Sequence, residues 1–322
     1  MYTSQATFGE VLDYQRVGLL LACPFMDERP LTRRSFLGGL AGLLAGSIVL
    51  PGATTDVALR RDPRYAKRGF APFPFIKETG FYGMGTYGST ETDLLIQGLS
   101  QGCRLIDTSP DYRNGDVEES IGWATEQVKE PVFTMTQVPV EAWESKHKRV
   151  EFQRALRRSL GKLQRGDLEA LFVRNAEPWQ LTDPDFRAFA QDVKESRTVQ
   201  SFGASGHGPD IEKILELTLD DDLFEIILVG AHLARFQNIP ALLREAKARG
   251  KRLIVMKTRE AALWNQIPGS ANEAERRRER PWDGNWDQEF SRRAIRAAVE
   301  ETQADQALIS IRRPEDLLLL KS

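Results

Sequence analysis

Asp107 and Tyr112 stand five residues apart in RLIDTSPDYRNGDVEESIG, which runs from Arg104 to Gly122. A carboxylate and a phenol so placed suit proton donation to a carbonyl oxygen, if they share one pocket and something tunes the phenol. The local pattern brings them together. Leu105-Ile106 reads as the end of a buried strand, and Asp107 closes it. Tyr112 follows in a loop rich in Pro, Asp, Asn and Gly, and a helical pattern begins at Val117.

The elements that must hold this loop alternate along the chain. Apolar runs predict strands at Thr79–Gly85, Arg104–Asp107, Val132–Val138, Leu168–Arg174, Val199–Ala204, Phe224–Val229, Leu253–Lys257 and Ala307–Ser310. Between them, helical spacing is expected at Glu91–Ser100, Val117–Lys129, Lys148–Gln164, Phe186–Ser196, Ile211–Leu219, Pro240–Arg249 and Gln288–Glu301, with a short last helix over Glu315–Leu320. A polar, Arg-rich insertion covers about residues 259–284. The strands read as continuous apolar runs rather than alternating ones, as in a parallel sheet covered by helices. Eight such units favour an α/β fold of the (β/α)8 TIM-barrel kind over an open doubly wound sheet. No G-x-G-x-x-G follows the first strand, so the open sheet's nucleotide fingerprint is missing. In a barrel, functional groups sit at the C-terminal ends of strands and in the loops after them, where Asp107 and Tyr112 fall.

The 322 residues carry 44 Lys and Arg against 46 Asp and Glu, a net charge of −2 with both signs interspersed. That balance argues against a nucleic-acid partner, which needs a dominant basic face. Cys23 and Cys103 are the only cysteines. Cys23 lies in a segment expected to be absent from the mature protein, so no disulfide framework is expected, and Cys103 reads as a buried thiol. Thr32-Arg33-Arg34-Ser35-Phe36-Leu37 precedes a Gly- and Ala-rich apolar run from Gly38 to Leu50 and an exit at Pro51-Gly52-Ala53. This matches a twin-arginine export signal over residues 1–53, so the twin-arginine translocase is an expected partner and the periplasm, or another exported location, the expected address. The apolar run is too short and glycine-rich for a stable membrane span. A conventional signal would open at Met26, and residues 1–25 read as an over-extended start. Residues 54–77 read as a linker, and 78–322 as the barrel.

Five stretches in order resemble the aldo/keto reductase family. GFYGMGT is similar to its first strand, and Asp107-Thr108-Ser109-Pro110-Asp111-Tyr112 to its D-T-[AS]-x-x-Y signature. RALRRSLGKLQRGDLEALFV, FGASGHG and IVMKT resemble its later helix and strand motifs. The resemblance covers most of the chain from about Thr79. It implies a (β/α)8 barrel, bound NADP(H), and hydride transfer between nicotinamide and a small carbonyl or alcohol substrate.

In that family the acid is a tyrosine, helped by an aspartate, a lysine ending strand 3 and usually a histidine ending strand 4. Tyr112 and Asp107 match. The lysine position falls on Gln137 and the histidine position on Arg174. Gln137 brings no charge to draw down the tyrosine's pKa, whereas Arg174 returns one from the adjacent strand. The resemblance also implies cofactor contacts from Gly85, Thr86, Ser205, Gly206 (where asparagine is common), Lys257, Arg312 and Arg313. Arg312 and Arg313 are expected to meet a phosphate, with the start of the last helix favouring the anion. Leu228 stands where a glutamine is expected under the nicotinamide amide, and SIRRPEDLLLLKS lacks the family's Glu-Asn pair.

His207 and His232 follow strands 5 and 6, either as replacement acids or as packing residues. They have no H-x-x-x-H partner, so a metal is not expected. Trp143, Trp179 and Trp264 are placed in loops on the same face, as an aromatic substrate pocket or as loop packing. Glu273–Arg280 is a solvated segment or a lid. Two readings stay open: an exported reductase in which Tyr112 protonates the carbonyl oxygen with Asp107 and Arg174 setting its acidity, and a non-catalytic barrel that binds a ligand or a protein partner. Intact Asp107 and Tyr112 favour the first; Gln137 and Leu228 favour the second.

Overall fold

In a computed structural model the described residues are 80–87, 91–235, 238–259 and 288–321. All lie within the compact unit Asp56–Ser322. The export signal, the linker and nearly all of the Arg-rich insertion, including Trp264, lie outside the described residues.

Eight parallel strands close into a barrel in chain order: β1 Tyr82–Gly85, β2 Leu105–Asp107, β3 Phe133–Val138, β4 Leu168–Val173, β5 Val199–Gly206, β6 Phe224–Gly230, β7 Arg252–Met256 and β8 Gln306–Ser310. This is the expected (β/α)8 barrel. Strand β1 pairs with both β2 and β8, which closes the ring, with Gly85 opposite Asp107 on one side and Ser310 on the other. The longer covering helices are α1 Thr92–Ser100, α2 Asp116–Glu126, α4 Lys148–Lys162, α6 Pro184–Glu195, α7 Ile211–Leu219, α8 Ile239–Ala248 and α9 Gln288–Thr302. Two short helices after β3 and β4, α3 Val140–Trp143 and α5 Pro178–Thr182, were not expected from the pattern. The closing segment Pro314–Lys321 is a 3₁₀ helix.

Period-two alternation divides each strand between the barrel interior and the helix layer. The interior is filled by one buried cluster that includes Leu105, Phe133, Met135, Phe172, Leu228 and Leu308. Two glycines make room for it. A Cβ on Gly203 would stand 2.3 Å from the Phe172 ring, and one on Gly83 would stand 2.8 Å from Leu105. Phe172 is fully buried, and removing such a ring from water contributes roughly 1.5–3 kcal/mol. The barrel is therefore packed below its mouth, and open space lies above this layer. Cys103 is a core thiol, buried with its Sγ–H 3.4 Å from the Leu105 carbonyl oxygen, and burial pushes its pKa up to about 11.

The helix layer packs on the outer positions. Phe152, Leu156 and Leu160 of α4 recur every four residues and are buried. Asp183 caps α6, its carboxylate accepting from the backbone N–H groups of Asp185 and Phe186 at 3.0 Å each, with Pro184 at the first helical position. Lys148 reaches across from α4 to the same carboxylate at 2.6 Å, tying two neighbouring helices. Among the described residues no helix is long and apolar enough to cross a membrane.

Candidate active site

Inward-facing positions at the C-terminal ends of the strands converge on one cavity of about 550 Å³. Gly85 of β1, Asp107 of β2, Gln137 of β3, Ser205 of β5, Met256 of β7 and Ser310 of β8 all reach its wall. Residues just past the strands add Tyr87, Tyr112, Arg174, Asn175, His207, Lys257 and Arg312. The four expected catalytic positions, Asp107, Tyr112, Gln137 and Arg174, therefore share one mouth.

The Tyr112 loop is held by backbone geometry. Tyr112 N–H donates to the Ser109 carbonyl at 3.0 Å, and Asp111 N–H to the Ser109 hydroxyl at 3.3 Å. Arg113, Asn114 and Gly115 then take three successive left-handed conformations, with φ of 49°, 56° and 85°. Glycine suits the last of these, at φ 85°, and a Cβ there would displace the Lys162 amine, which would lie 2.1 Å away. Lys162, at the end of α4, donates to the Asn114 carbonyl at 2.7 Å. The next residue opens α2, whose first turn carries Asp116, Glu118 and Glu119 against the helix dipole. A turn that would otherwise be free to move is fixed at both ends.

Asp107 is 6% exposed, and its Oδ1 has no hydrogen-bond partner among the described residues; the same holds for Gln137 Oε1. Burial drives the Asp107 pKa from 3.8 to about 7, although Gln137 and the Arg174 charge pull it partway back. Burial also raises the Tyr112 phenol, and the Asp107 charge raises it further; Arg174 and Gln137 oppose this without reversing it. Tyr112 thus holds its proton more tightly than an ordinary phenol.

Arg174 stands over the Tyr112 ring, with its Cζ 5.3 Å from the ring centroid. Its Nη1 donates to Asp111 Oδ2 at 2.6 Å. Tyr87 meets the same ring edge-on at 5.4 Å. The phenol is therefore fixed on two sides. Neither Asp111 nor Tyr87 stood out in the sequence, although both lie next to residues that did.

The expected cofactor residues divide into those that reach the cavity and those that do not. Gly85, Ser205, Lys257 and Arg312 line the cavity. Thr86 does not: it is fully buried, and its hydroxyl donates to the Asp107 carbonyl at 2.9 Å. Gly206 faces the helix layer, where a Cβ would lie 2.7 Å from Ile211. Arg313 is likewise absent from the wall. The start of the last helix is not an open anion site, because Asp316 accepts there from the Arg312 N–H at 3.0 Å and from Arg259 at 2.8 Å.

Trp143 and Trp179 form packing rather than pocket. Trp143 is buried against Phe152 and Phe186, at 4.8 and 5.2 Å between ring centroids, and Trp179 meets Trp143 edge-on at 5.6 Å. His207 reaches the cavity, whereas His232 is buried beside Gly230 and does not. Leu228 belongs to the packed interior below the mouth.

The family model described as the aldo/keto reductase family matches residues 89–260. No curated protein sequence matches. Solved structures do. An aldo-keto reductase of Bacillus halodurans in its holo form is 15% identical, with a TM-score of 0.56 over 75% of this chain and 87% of that one. The glycerol dehydrogenase of Gluconobacter oxydans is 15% identical, with a TM-score of 0.51 over 74% and 85%. An aldo/keto reductase of Klebsiella pneumoniae, solved with NADP and acetate, is 18% identical, with a TM-score of 0.50 over 75% and 90%. Identities this low speak for the fold alone. The family match spans more than half of the sequence, and with the closed barrel it makes this chain a member of the aldo/keto reductase family.

Proposed function

We propose that the protein is an exported, NADP(H)-dependent reductase of a small carbonyl compound, with Tyr112 as the proton donor. The observation that carries this reading is the convergence of Asp107, Tyr112, Gln137 and Arg174 on one cavity. The cofactor positions fit a dinucleotide in part. Lys257 and Arg312 put two cations on the β7–β8 side of the wall, and Ser205 and Gly85 line it as well. A volume of about 550 Å³ lies within the roughly 300–1,000 Å³ usual for small-molecule sites.

When bound, the nicotinamide supplies hydride to the carbonyl carbon. Tyr112 hydrogen-bonds the carbonyl oxygen and gives it a proton as negative charge develops there. A high phenol pKa still permits this, because an alkoxide is a stronger base than a phenolate. It disfavours the reverse reaction, in which tyrosinate must act as base. Asp107, Gln137 and Arg174 keep the phenol oriented and set its acidity.

A second reading is favoured by one observation: Gln137 brings no charge beside Tyr112, and the phenol is raised rather than lowered. On that reading the barrel binds a ligand or a protein partner without turnover. Titration of the purified full chain with NADPH, followed by cofactor fluorescence, separates the two. Saturable binding at micromolar cofactor is expected. No binding at millimolar cofactor removes the reductase.

Export rests on Arg33-Arg34 and the apolar run after it. In a host with a twin-arginine translocase, replacing both arginines with lysine is expected to hold the folded precursor in the cytoplasm. Unchanged export of that variant, or an N-terminal peptide from within residues 1–25 in the precursor, would overturn the respective assignment.

A further inference from the structure

Arg174 has more to offer than its place beside Tyr112 uses. A guanidinium carries five N–H donors in a planar fork. Among the described residues, Arg174 commits Nη1 to Asp111, at 2.6 Å, and lays its face over the Tyr112 ring. Its side chain is 23% exposed and lines the cavity. The remaining donors are within reach of a ligand standing next to the phenol.

The charge of the wall points the same way. Arg174, Lys257 and Arg312 bring three cations to it, and Asp107 is the only carboxylate among the described lining residues. The cations sit on opposite sides of the barrel. Lys257 and Arg312 follow β7 and β8, whereas Arg174 follows β4. A dinucleotide whose phosphates met Lys257 and Arg312 would leave the outer donors of Arg174 to the substrate. Among the described residues Asp111 pairs with Arg174 through Nη1, and the rest of the guanidinium fork matches a planar carboxylate.

We propose that Arg174 binds a carboxylate on the substrate, so that the preferred substrates are short oxo acids whose carbonyl lies within a few bonds of that carboxylate. The guanidinium and the phenol are close enough to hold adjacent acceptor groups of one small molecule. Asp111 is the positioning residue that fixes one edge of the fork and presents the other. The proposal rests on the reductase reading. The reaction consumes one hydride from reduced nicotinamide and one proton from Tyr112. The carbonyl carbon gains a C–H bond, its oxygen becomes a hydroxyl, and the product is a hydroxy acid. Tyr112 recovers its proton from solvent.

The test is calorimetric, on the full chain with NADP present, using oxamate and its neutral ester ethyl oxamate as unreactive probes. Oxamate is expected to bind at least about tenfold more tightly than the ester, and Arg174→Gln to weaken oxamate roughly 10–100-fold with little change for the ester. Arg174→Lys, which keeps the charge and loses the fork, should fall between. Unchanged binding of NADP by both variants shows that the fold is intact. Equal affinity for oxamate and ester, indifference of oxamate to Arg174→Gln, or no oxamate binding at all overturns the proposal. If oxamate binds through Arg174 but NADP binds in neither the wild type nor the variants, the carboxylate site stands and the reductase reading falls.

Discussion

Tyr112→Phe is expected to lower kcat for carbonyl reduction by roughly 10²–10⁴-fold, the range of a positioned general acid. Dinucleotide affinity and melting temperature should stay close to wild type. The substitution removes only the hydroxyl. The ring keeps its edge-on contact with Tyr87 at 5.4 Å and its place under the Arg174 guanidinium at 5.3 Å. The loop is held by backbone bonds and Lys162, none of which involves the phenol oxygen. A loss confined to kcat therefore reports on proton transfer. Direction matters as well. With the phenol raised by burial and by Asp107, alcohol oxidation by the wild type at neutral pH should be much slower than reduction, and should speed up as pH rises. Steady-state rates in both directions check this. Unchanged reduction by Tyr112→Phe would acquit the residue, and equal pH slopes in the two directions would remove the account of its acidity.

Much of the site was legible because strand ends are. Apolar runs that carry Asp107, Gln137 and Arg174 at or next to their C-terminal ends put those side chains at the mouth of any parallel barrel, and the structure brings them to one cavity. Orientation within the mouth was less legible. Thr86 and Gly206 each stand next to an inward-facing residue, and period-two alternation turns both away from the cavity. Parity counted from Gly85 and Ser205 was the available signal. For Gly206 the strand end also moved, since β5 runs to Gly206 rather than stopping at Ala204. The Asp111–Arg174 pair spans 63 residues, so no local pattern reveals it. Trp143 and Trp179 followed strands 3 and 4 as expected, yet α3 folds Trp143 onto Phe152 and Phe186, and α5 sets Trp179 edge-on to Trp143. Short helices in loops leave little periodicity to read.

Asp107→Asn is expected to stabilise the apo protein at pH 8 and to remove the pH dependence of its reduction rate near neutrality. The Asp107 carboxyl has a pKa near 7 when folded and 3.8 ordinarily. A pKa raised on folding means that the native state holds the proton more tightly. Below pH 4 both states are protonated and Asp107 imposes no penalty. Between pH 4 and 7 the unfolded chain ionises first, and stability falls by up to about 1.4 kcal/mol per pH unit. Above pH 7 the full penalty is present, on the order of 4 kcal/mol. An asparagine of the same shape never ionises. The variant should therefore gain stability over wild type as pH rises from 4 to 7, then hold a constant advantage. Its amide also brings a donor into a wall where Gln137 Oε1 has no partner among the described residues. The same titration governs the phenol. Ionised Asp107 raises Tyr112, so the wild-type reduction rate should fall as pH passes upward through about 7, and the Asp107→Asn profile should be flat there. Urea unfolding at pH 4, 6 and 8 and paired pH–rate profiles check both halves. A pH-independent stability difference, or a variant that keeps the inflection near 7, would show that Asp107 does not carry the buried proton. A residue that weakens the fold above neutral pH and tunes the acid beside it fits a site shaped for chemistry.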